Sequence, residues 1–291
     1  MNKNKLYGKS ALLTSALLWG LAFVAVQEAL NEGWTPFILL GFRGLMAGLL
    51  LGIFALKRQF WKNKELMKVG ILAGAVMFIG FALQTYGQQL STVSNASFIT
   101  VLYVVFIPLL MLQKRALSII MMIAVLSAVV GTAFLTLSNG FSFHIGDILL
   151  IACAFAFACH IIIIDRLAKF HDALSATVIQ VLTMSGLGFI FSIMVPSPIP
   201  STGWIYVGYA GLVSSGLAFV LQIYGQRHVD STVAGLLLTM EALFGALGAI
   251  FLLHEPFKMN TFIGATFMMM AVVMIELSPM FTRIFKGEMD D

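Results

Sequence analysis

Apolar residues in this 291-residue chain fall into long blocks separated by short polar breaks. Each block is about 20 residues, the length at which a helix crosses roughly 30 Å of hydrocarbon. Ten such blocks can be drawn, at 10–30, 35–56, 67–88, 93–112, 117–137, 146–164, 173–195, 201–224, 231–253 and 259–278; they are called spans 1 to 10 below. Lipid offers the backbone no hydrogen-bond partner, so such blocks should be helical. A β-barrel would show alternating segments of about ten residues, and the sequence has none. With 60% hydrophobic and 10% charged residues, and a mean hydropathy of +0.98, a water-facing surface is excluded. The expected fold is an all-α integral membrane protein.

The charges give the threading. Lys3, Lys5 and Lys9 precede span 1, and Lys57, Arg58, Lys62, Lys64 and Lys68 follow span 2. Lys114 and Arg115 follow span 4, Arg166 and Lys169 follow span 6, Arg227 follows span 8, and Arg283 and Lys286 follow span 10. In the intervening loops Lys258 is the exception. Basic loops stay in the cytoplasm, so both termini are expected there, in a bacterial-type inner membrane. The basic amino terminus and the long first block read as a retained helix, since no small-residue cleavage site follows. The net charge of +4 is thus a matter of topology and gives no reason to expect a nucleic-acid partner.

A repeat lies over this pattern. Span 3 ends Gln84-Thr85-Tyr86-Gly87-Gln88, and span 8 ends Gln222-Ile223-Tyr224-Gly225-Gln226, an offset of 138 residues. At the same offset Trp19-Gly20 falls on Phe157-Ala158, and Tyr103 on Glu241. Residues 1–138 and 139–291 therefore read as two copies. Five spans is an odd number, so the second copy enters the membrane upside down. Two similar halves in opposite orientation can exchange conformations and open a central site to either side, a plan found in secondary transporters.

These residues resemble the drug/metabolite transporter superfamily, and its EamA-type members in particular. The likeness is carried by Leu18-Trp19-Gly20, Arg43, the run from Tyr86 through Tyr103 to Pro108, Gln222-Ile223-Tyr224, and the run from Ser231 through Glu241 to His254-Glu255-Pro256. It covers nearly the whole chain. The resemblance implies ten helices as two inverted five-helix repeats, with a cavity lined by spans 1, 3, 4, 6, 8 and 9. Glu255 matches the acidic residue that the family carries at the end of a repeat's fourth helix; the first repeat departs, with Lys114-Arg115 near that place. Smaller multidrug relatives use an acid in the middle of helix 1, and here Glu28 lies only near its outer end.

Polar groups inside hydrocarbon each need a reason. Arg43 stands about 12 Å into span 2, at roughly 1.5 Å per residue, and Glu241 stands near the middle of span 9. At roughly 3 kcal/mol for a central charge, neither should face lipid. Glu241 can bind an amine or carry a proton; Arg43 can meet a carboxylate or pair with Glu241; both can instead be satisfied between helices. Gly245 and Gly248 leave room for a neighbour to approach the Glu241 helix. Gln84 and Gln222, with Tyr86 and Tyr224, are repeat mates that either line two mouths of a cavity or bond helix to helix. Ser97, Thr100 and Tyr103 share one side of span 4, where serine and threonine often bond only their own backbone. Pro108 should bend that span toward its cytoplasmic end. Trp19 and His160 lie at near-equivalent places in spans 1 and 6, as cavity lining or core. Gly44, Gly48 and Gly52, like Gly70 and Gly74, form small-residue packing rows.

Other signals fail. Gly8-Lys9-Ser10 mimics the end of a nucleotide-binding loop, but Lys3 stands where the first glycine belongs. Without an ATPase motif, movement must follow a gradient or be passive. Asn95-Ala96-Ser97 reads as a glycosylation sequon but opens a membrane span. Cys153 and Cys159 sit inside one span as small apolar residues. No HExxH or GxSxG motif occurs, so no cofactor and no enzyme chemistry is expected. The leading expectation is a transporter, and specifically an exporter, of small organic metabolites such as amino acids, by alternating access. The alternatives are a membrane-embedded lipid-modifying enzyme, for which His160 and Asp165 are the nearest pair, or a lipid scramblase. The expected partners are a solute and lipid, with a proton as one available coupling ion, and a monomer or a homodimer.

Overall fold

In the computed structural model, residues 3–111, 119–136, 145–196, 198–256, 259, 260, 262–267, 269–271, 273 and 274 are described. Helix follows helix along all of them: α1 (Lys3–Asn31), α2 (Pro36–Ala55), α3 (Lys64–Gln89), α4 (Val93–Thr100), α5 (Tyr103–Met111), α6 (Ile119–Thr136), α7 (Ile145–Ala168), α8 (Ala173–Met194), α9 (Trp204–Gly208), a π-helical segment (Tyr209–Leu217), α10 (Ala218–Gln226), α11 (Ser231–Leu238) and α12 (Met240–Leu252). Among the described residues eight segments are long and apolar enough to cross a bilayer, α4–α5 counting as one, α9–α10 as one and α11–α12 as one. Spans 5 and 10 coincide with shorter apolar runs, Met122–Gly131 and Phe262–Ala271. Ser127 Oγ donates to Phe267 O at 2.8 Å, and the Phe134 and Phe267 rings stack at 5.9 Å, so these two runs touch. The repeat boundary at 138, Lys114-Arg115, Lys258, Arg283 and Lys286 lie outside the described residues.

Helix starts follow local chemistry. Thr92 Oγ1 accepts from Asn95 N, and Asp230 Oδ1 accepts from Thr232 N and Val233 N, each at 3.1 Å. Asn63 and Asp172 cap α3 and α8 in the same way, satisfying amides that a helix leaves without partners. Helix α1 begins at Lys3, not at residue 10 where the apolar block starts. Helical hydrogen bonding does not stop at the edge of the hydrocarbon, and Lys3–Lys9 continue it into the polar zone.

Packing repeats at the 138-residue offset. Helix α1 packs on α10 and on α11–α12; its mate α7 packs on α3 and on α4–α5. Helix α2 packs on the π segment while its mate α8 packs on α3, and α2 and α8 pack on each other. The close approaches are mates as well: a Cβ on Gly87 would lie 3.0 Å from Gly146 O, and one on Gly225 would lie 2.9 Å from Gly8 O. So are the polar ties. Gln88 Nε2 donates to Phe23 O at 2.8 Å, and Gln226 Nε2 donates to Ile161 O at 2.9 Å.

The expected bend at Pro108 is replaced by a break further up the span. Helix α4 ends at Thr100, α5 starts at Tyr103, and Pro108 sits inside α5. The second repeat breaks at the equivalent place, Thr239, between α11 and α12. At both breaks the helix tightens through matched bonds, Val104 N to Val101 O and Ala242 N to Thr239 O, each 3.0 Å. The second repeat has Ala246 where the first has Pro108, so proline does not cause the break.

Large apolar side chains such as Leu49, Ile53, Phe54, Ile71 and Ile193 face outward, while Ser15, Arg43, Thr85, Gln88, His160 and Glu241 are buried. This suits a lipid solvent, which takes apolar surface and excludes polar groups.

Candidate functional site

The two helix breaks set Tyr103 and Glu241, themselves repeat mates, at the start of α5 and in the first turn of α12. Both line a central cavity with about 510 Å³ of empty space, of which about 40 Å³ admits the centre of a water molecule. It is a narrow slot with room for little more than water between its walls in this conformation. Trp19, Arg43, Gln84, His160 and Gln222 line it too. The structure thus gathers Trp19, Arg43, Gln84, Tyr103, His160, Gln222 and Glu241 around one space, from spans 1, 2, 3, 4, 6, 8 and 9.

Each side chain has an identifiable role. Trp19 Nε1 donates to Ser214 O at 3.0 Å, and its ring tilts against Phe219 at 4.8 Å, leaving an indole face on the cavity. Arg43, 1% exposed, donates from Nε to Ser215 Oγ at 2.8 Å and from a terminal nitrogen to Ser214 Oγ at 3.1 Å. Its guanidinium lies 4.0 Å over the Phe81 ring, a cation–π contact. A guanidinium has five N–H donors, so two serines leave donors beside the cavity. No ion pair joins Arg43 to Glu241: the π segment supplies the hydroxyls that hold the arginine.

Glu241 is 5% exposed and within electrostatic reach of Tyr103. The buried Tyr103 hydroxyl faces the Glu241 carboxyl within reach of a hydrogen bond, while Gln222 Oε1 is buried and unpartnered. Buried polar atoms in native proteins nearly all find partners, so an orphan on a cavity wall calls for an explanation. Gln84 Nε2 donates to Thr100 Oγ1 at 3.3 Å, and His160 Nε2 meets Gln180 Oε1 at 2.9 Å.

Some expectations separate. Tyr86 packs edge-on against Phe37, and Tyr224 faces His228, so neither lines the cavity. Ser97 bonds Ser94 O, and only Thr100 and Tyr103 of that trio face other helices' polar groups or the cavity. Gly245 does admit a neighbour, since a Cβ there would lie 2.8 Å from Ser97 Cβ. Glu255 accepts from Val93 N at 3.1 Å and Ser94 Oγ at 2.5 Å, closing the start of α4 from the other repeat. His160 and Asp165, the pair that membrane enzyme chemistry would need, go to different partners: Asp165 accepts from Gln226 Nε2 at 2.8 Å and from Ser231 Oγ. Among the described residues no group of three or more His, Cys, Asp or Glu could hold a metal ion. Sequence reasoning passed over Gln88, Ser214, Phe23, Phe81, Phe157 and Phe219 on the cavity wall. Gln88 follows Gln84 by one turn, as Gln226 follows Gln222, and that doubled spacing was the available signal.

A profile of the EamA-like transporter family matches residues 6–137 and 144–277. An uncharacterized transporter of Archaeoglobus fulgidus is 29% identical over 282 residues, covering 94% of this chain and 87% of its own. The uncharacterized transporter YoaV of Bacillus subtilis is 19% identical over 270 residues, covering 87% and 91%. A solved crystal structure of a protein superposes with a TM-score of 0.74 at 19% identity, covering 95% of this chain and 97% of the other, a likeness of fold.

Proposed function

The chain belongs to the EamA-like transporter family, and from that premise we propose that it is a secondary transporter of small organic solutes of the amino-acid kind. The carrying observation is that the repeat mates Tyr103 and Glu241 meet on one cavity wall with Gln222, whose Oε1 is buried without a partner. A solute amine or hydroxyl donates to the acceptors at Gln222 and Glu241, while the Tyr103 hydroxyl donates to a hydroxyl or carboxylate oxygen of the solute. The apolar part of the solute lies against Trp19, Phe81 and Phe219, where aromatic rings supply area without demanding hydrogen bonds.

In this reading spans 5 and 10 complete two five-span bundles of opposite sense, with both ends of the chain in the cytoplasm. The bundles rock about the α2–α8 contact and present the cavity to each side in turn. Glu241 is the acid available to carry a proton in exchange for the solute. Purified protein in proteoliposomes should accumulate a labelled amino acid or related amphipathic solute down an imposed gradient. Glu241→Gln and Tyr103→Ala should each abolish most of that uptake while leaving the protein folded. Unchanged uptake in both variants would place the site elsewhere.

A further inference from the structure

Below the central cavity lies a second one of about 550 Å³ empty volume, lined by Asp165, Lys169, Gln226, Arg227, Val229 and Asp230, among others. The two are stacked along the same two helices. On α7 the central cavity ends at Ile161 and the second begins at Asp165; on α10 the central cavity ends at Gln222 and the second begins at Gln226. Each step is one helical turn. A single layer of side chains therefore separates the central slot from a cavity on the face that carries the basic loops.

That layer is bonded across three helices. Gln226 Nε2 donates to Ile161 O at 2.9 Å and to Asp165 Oδ1 at 2.8 Å, and the Ser231 hydroxyl donates to the other Asp165 oxygen. Helices α7, α10 and α11 are thus tied at one point, where Gln226 is 5% and Ser231 0% exposed. Gln226 Oε1 is buried there without a partner.

The repeat mate of this layer is tied differently. Gln88 Nε2 donates to Phe23 O at 2.8 Å, but its second acceptor is Gln27 Oε1 at 3.4 Å, and Gln27 stands where the inner layer has Asp165. At Val93, the mate of Ser231, the backbone amide is taken by Glu255 from the stretch that follows α12. At the inner layer a carboxylate bonds the glutamine itself; at the mated place Gln88 meets only a neutral amide at long range, and the carboxylate there, Glu255, bonds Val93 N and Ser94 Oγ instead. Hydrogen bonds to a carboxylate are roughly twice as strong as neutral ones. The cavity agrees: its wall reaches Val26 and Gln88, while their mates Ile164 and Gln226 are not part of it.

We propose that Asp165, Gln226 and Ser231 form the cytoplasmic gate of the transport path, and that opening this latch joins the central cavity to the second one, which is the cytoplasmic mouth. The proposal rests on the transporter reading but is tested without a solute. In a background with Cys153 and Cys159 replaced by alanine, Gln222→Cys reports on the central cavity and Val229→Cys on the mouth. A membrane-impermeant maleimide is applied to the basic-loop face of oriented vesicles holding the full-length chain. Gln222→Cys should react slowly, and adding Asp165→Asn should speed it about tenfold, the loss of one charge-assisted bond; Val229→Cys should react at the same rate in both. Ser231→Ala, which removes only a hydroxyl, serves as a second variant should Asp165→Asn not fold. A rate at Gln222→Cys that neither variant raises, or one that rises only from the opposite face, overturns the gate. Labelling that follows the expectation while no solute moves in proteoliposomes would instead count against the transporter reading alone.

Discussion

The glycine row on α2 gives the sharpest test of the packing, because three residues of identical spacing have three different surroundings. A methyl group on Gly44 would lie 2.6 Å from Val181 O, 2.9 Å from Ser185 Cβ and 3.0 Å from Ser185 N. Ordinary carbon contacts are about 3.5–4.0 Å, so α2 and α8 must part by up to about 1 Å, against backbone that cannot rotate away. Parting also stretches the 2.7 Å bond from Ser185 Oγ to Gly41 O, worth about 1 kcal/mol. Overpacking costs about 1–3 kcal/mol, and alanine regains up to about 1 kcal/mol of helix propensity. The net expectation for Gly44→Ala is a loss of about 2 kcal/mol. At Gly48 the methyl meets only the Leu182 side chain, which is 39% exposed and can turn outward; the net loss should be within about 1 kcal/mol. At Gly52 nothing lies within 4 Å, and alanine should be neutral or stabilising by up to about 1 kcal/mol. At about 2–4 °C per kcal/mol, the apparent melting temperature of detergent-solubilised protein should fall by about 4–8 °C for Gly44→Ala, shift slightly for Gly48→Ala and hold or rise for Gly52→Ala. If Gly52→Ala lost as much as Gly44→Ala, the row would be serving another surface and the α2–α8 interface would be wrong.

Further outcomes follow from the same contacts. Arg43→Lys keeps the charge but loses the fork that meets Ser214 and Ser215 and the flat contact on Phe81; stability should drop by about 1–3 kcal/mol in thermal or denaturant titration. Trp34→Phe removes the 2.9 Å bond to Thr202 O from a ring that also packs against Phe42 and Trp204, and should lose about 1–2 kcal/mol. Reporter tags fused to each end should both read as cytoplasmic; opposite readings would make the number of spans odd and remove the inverted repeat.

Much of this architecture was legible because lipid imposes simple rules. Hydropathy placed the starts at 93, 173 and 231 where helices or their caps are found, since the bilayer edge and the capping residue coincide there. Buried polar residues are scarce in such a chain, so naming Trp19, Gln84, Tyr103, His160, Gln222 and Glu241 came close to naming the cavity wall. The aromatic part stayed invisible for the opposite reason: with 25 phenylalanines, no single one is informative. The π segment was hidden too, because the turn that sets Ser214 O and the Ser214 and Ser215 hydroxyls toward Trp19 and Arg43 depends on tertiary packing. The breaks at Val101 and Thr239 carry no glycine or proline, and a hydropathy reading has nothing there to detect.

Those breaks lead to a last prediction, because they separate what the two halves share from what they do not. The broken backbone is common to both: caps at Thr92 and Asp230, ends at Thr100 and Leu238, and matched tightening bonds at Val104 and Ala242. The side chains it presents differ, a phenol at Tyr103 and a carboxyl at Glu241. Alternation between two faces needs only equivalent halves, while recognition of an asymmetric solute needs unlike groups at equivalent places. Pro108 should then matter little, since it belongs to neither set. Pro108→Ala restores an amide that can bond Val104 O within α5 and should raise thermal stability, up to about 3 kcal/mol if the whole penalty of an interior proline is recovered. It should leave solute affinity in proteoliposomes within about twofold, because Tyr103 is held by the break and by α7, not by the proline. A large loss of affinity with intact folding would mean that Pro108 shapes the break after all, and that the two halves reach the same geometry by different means.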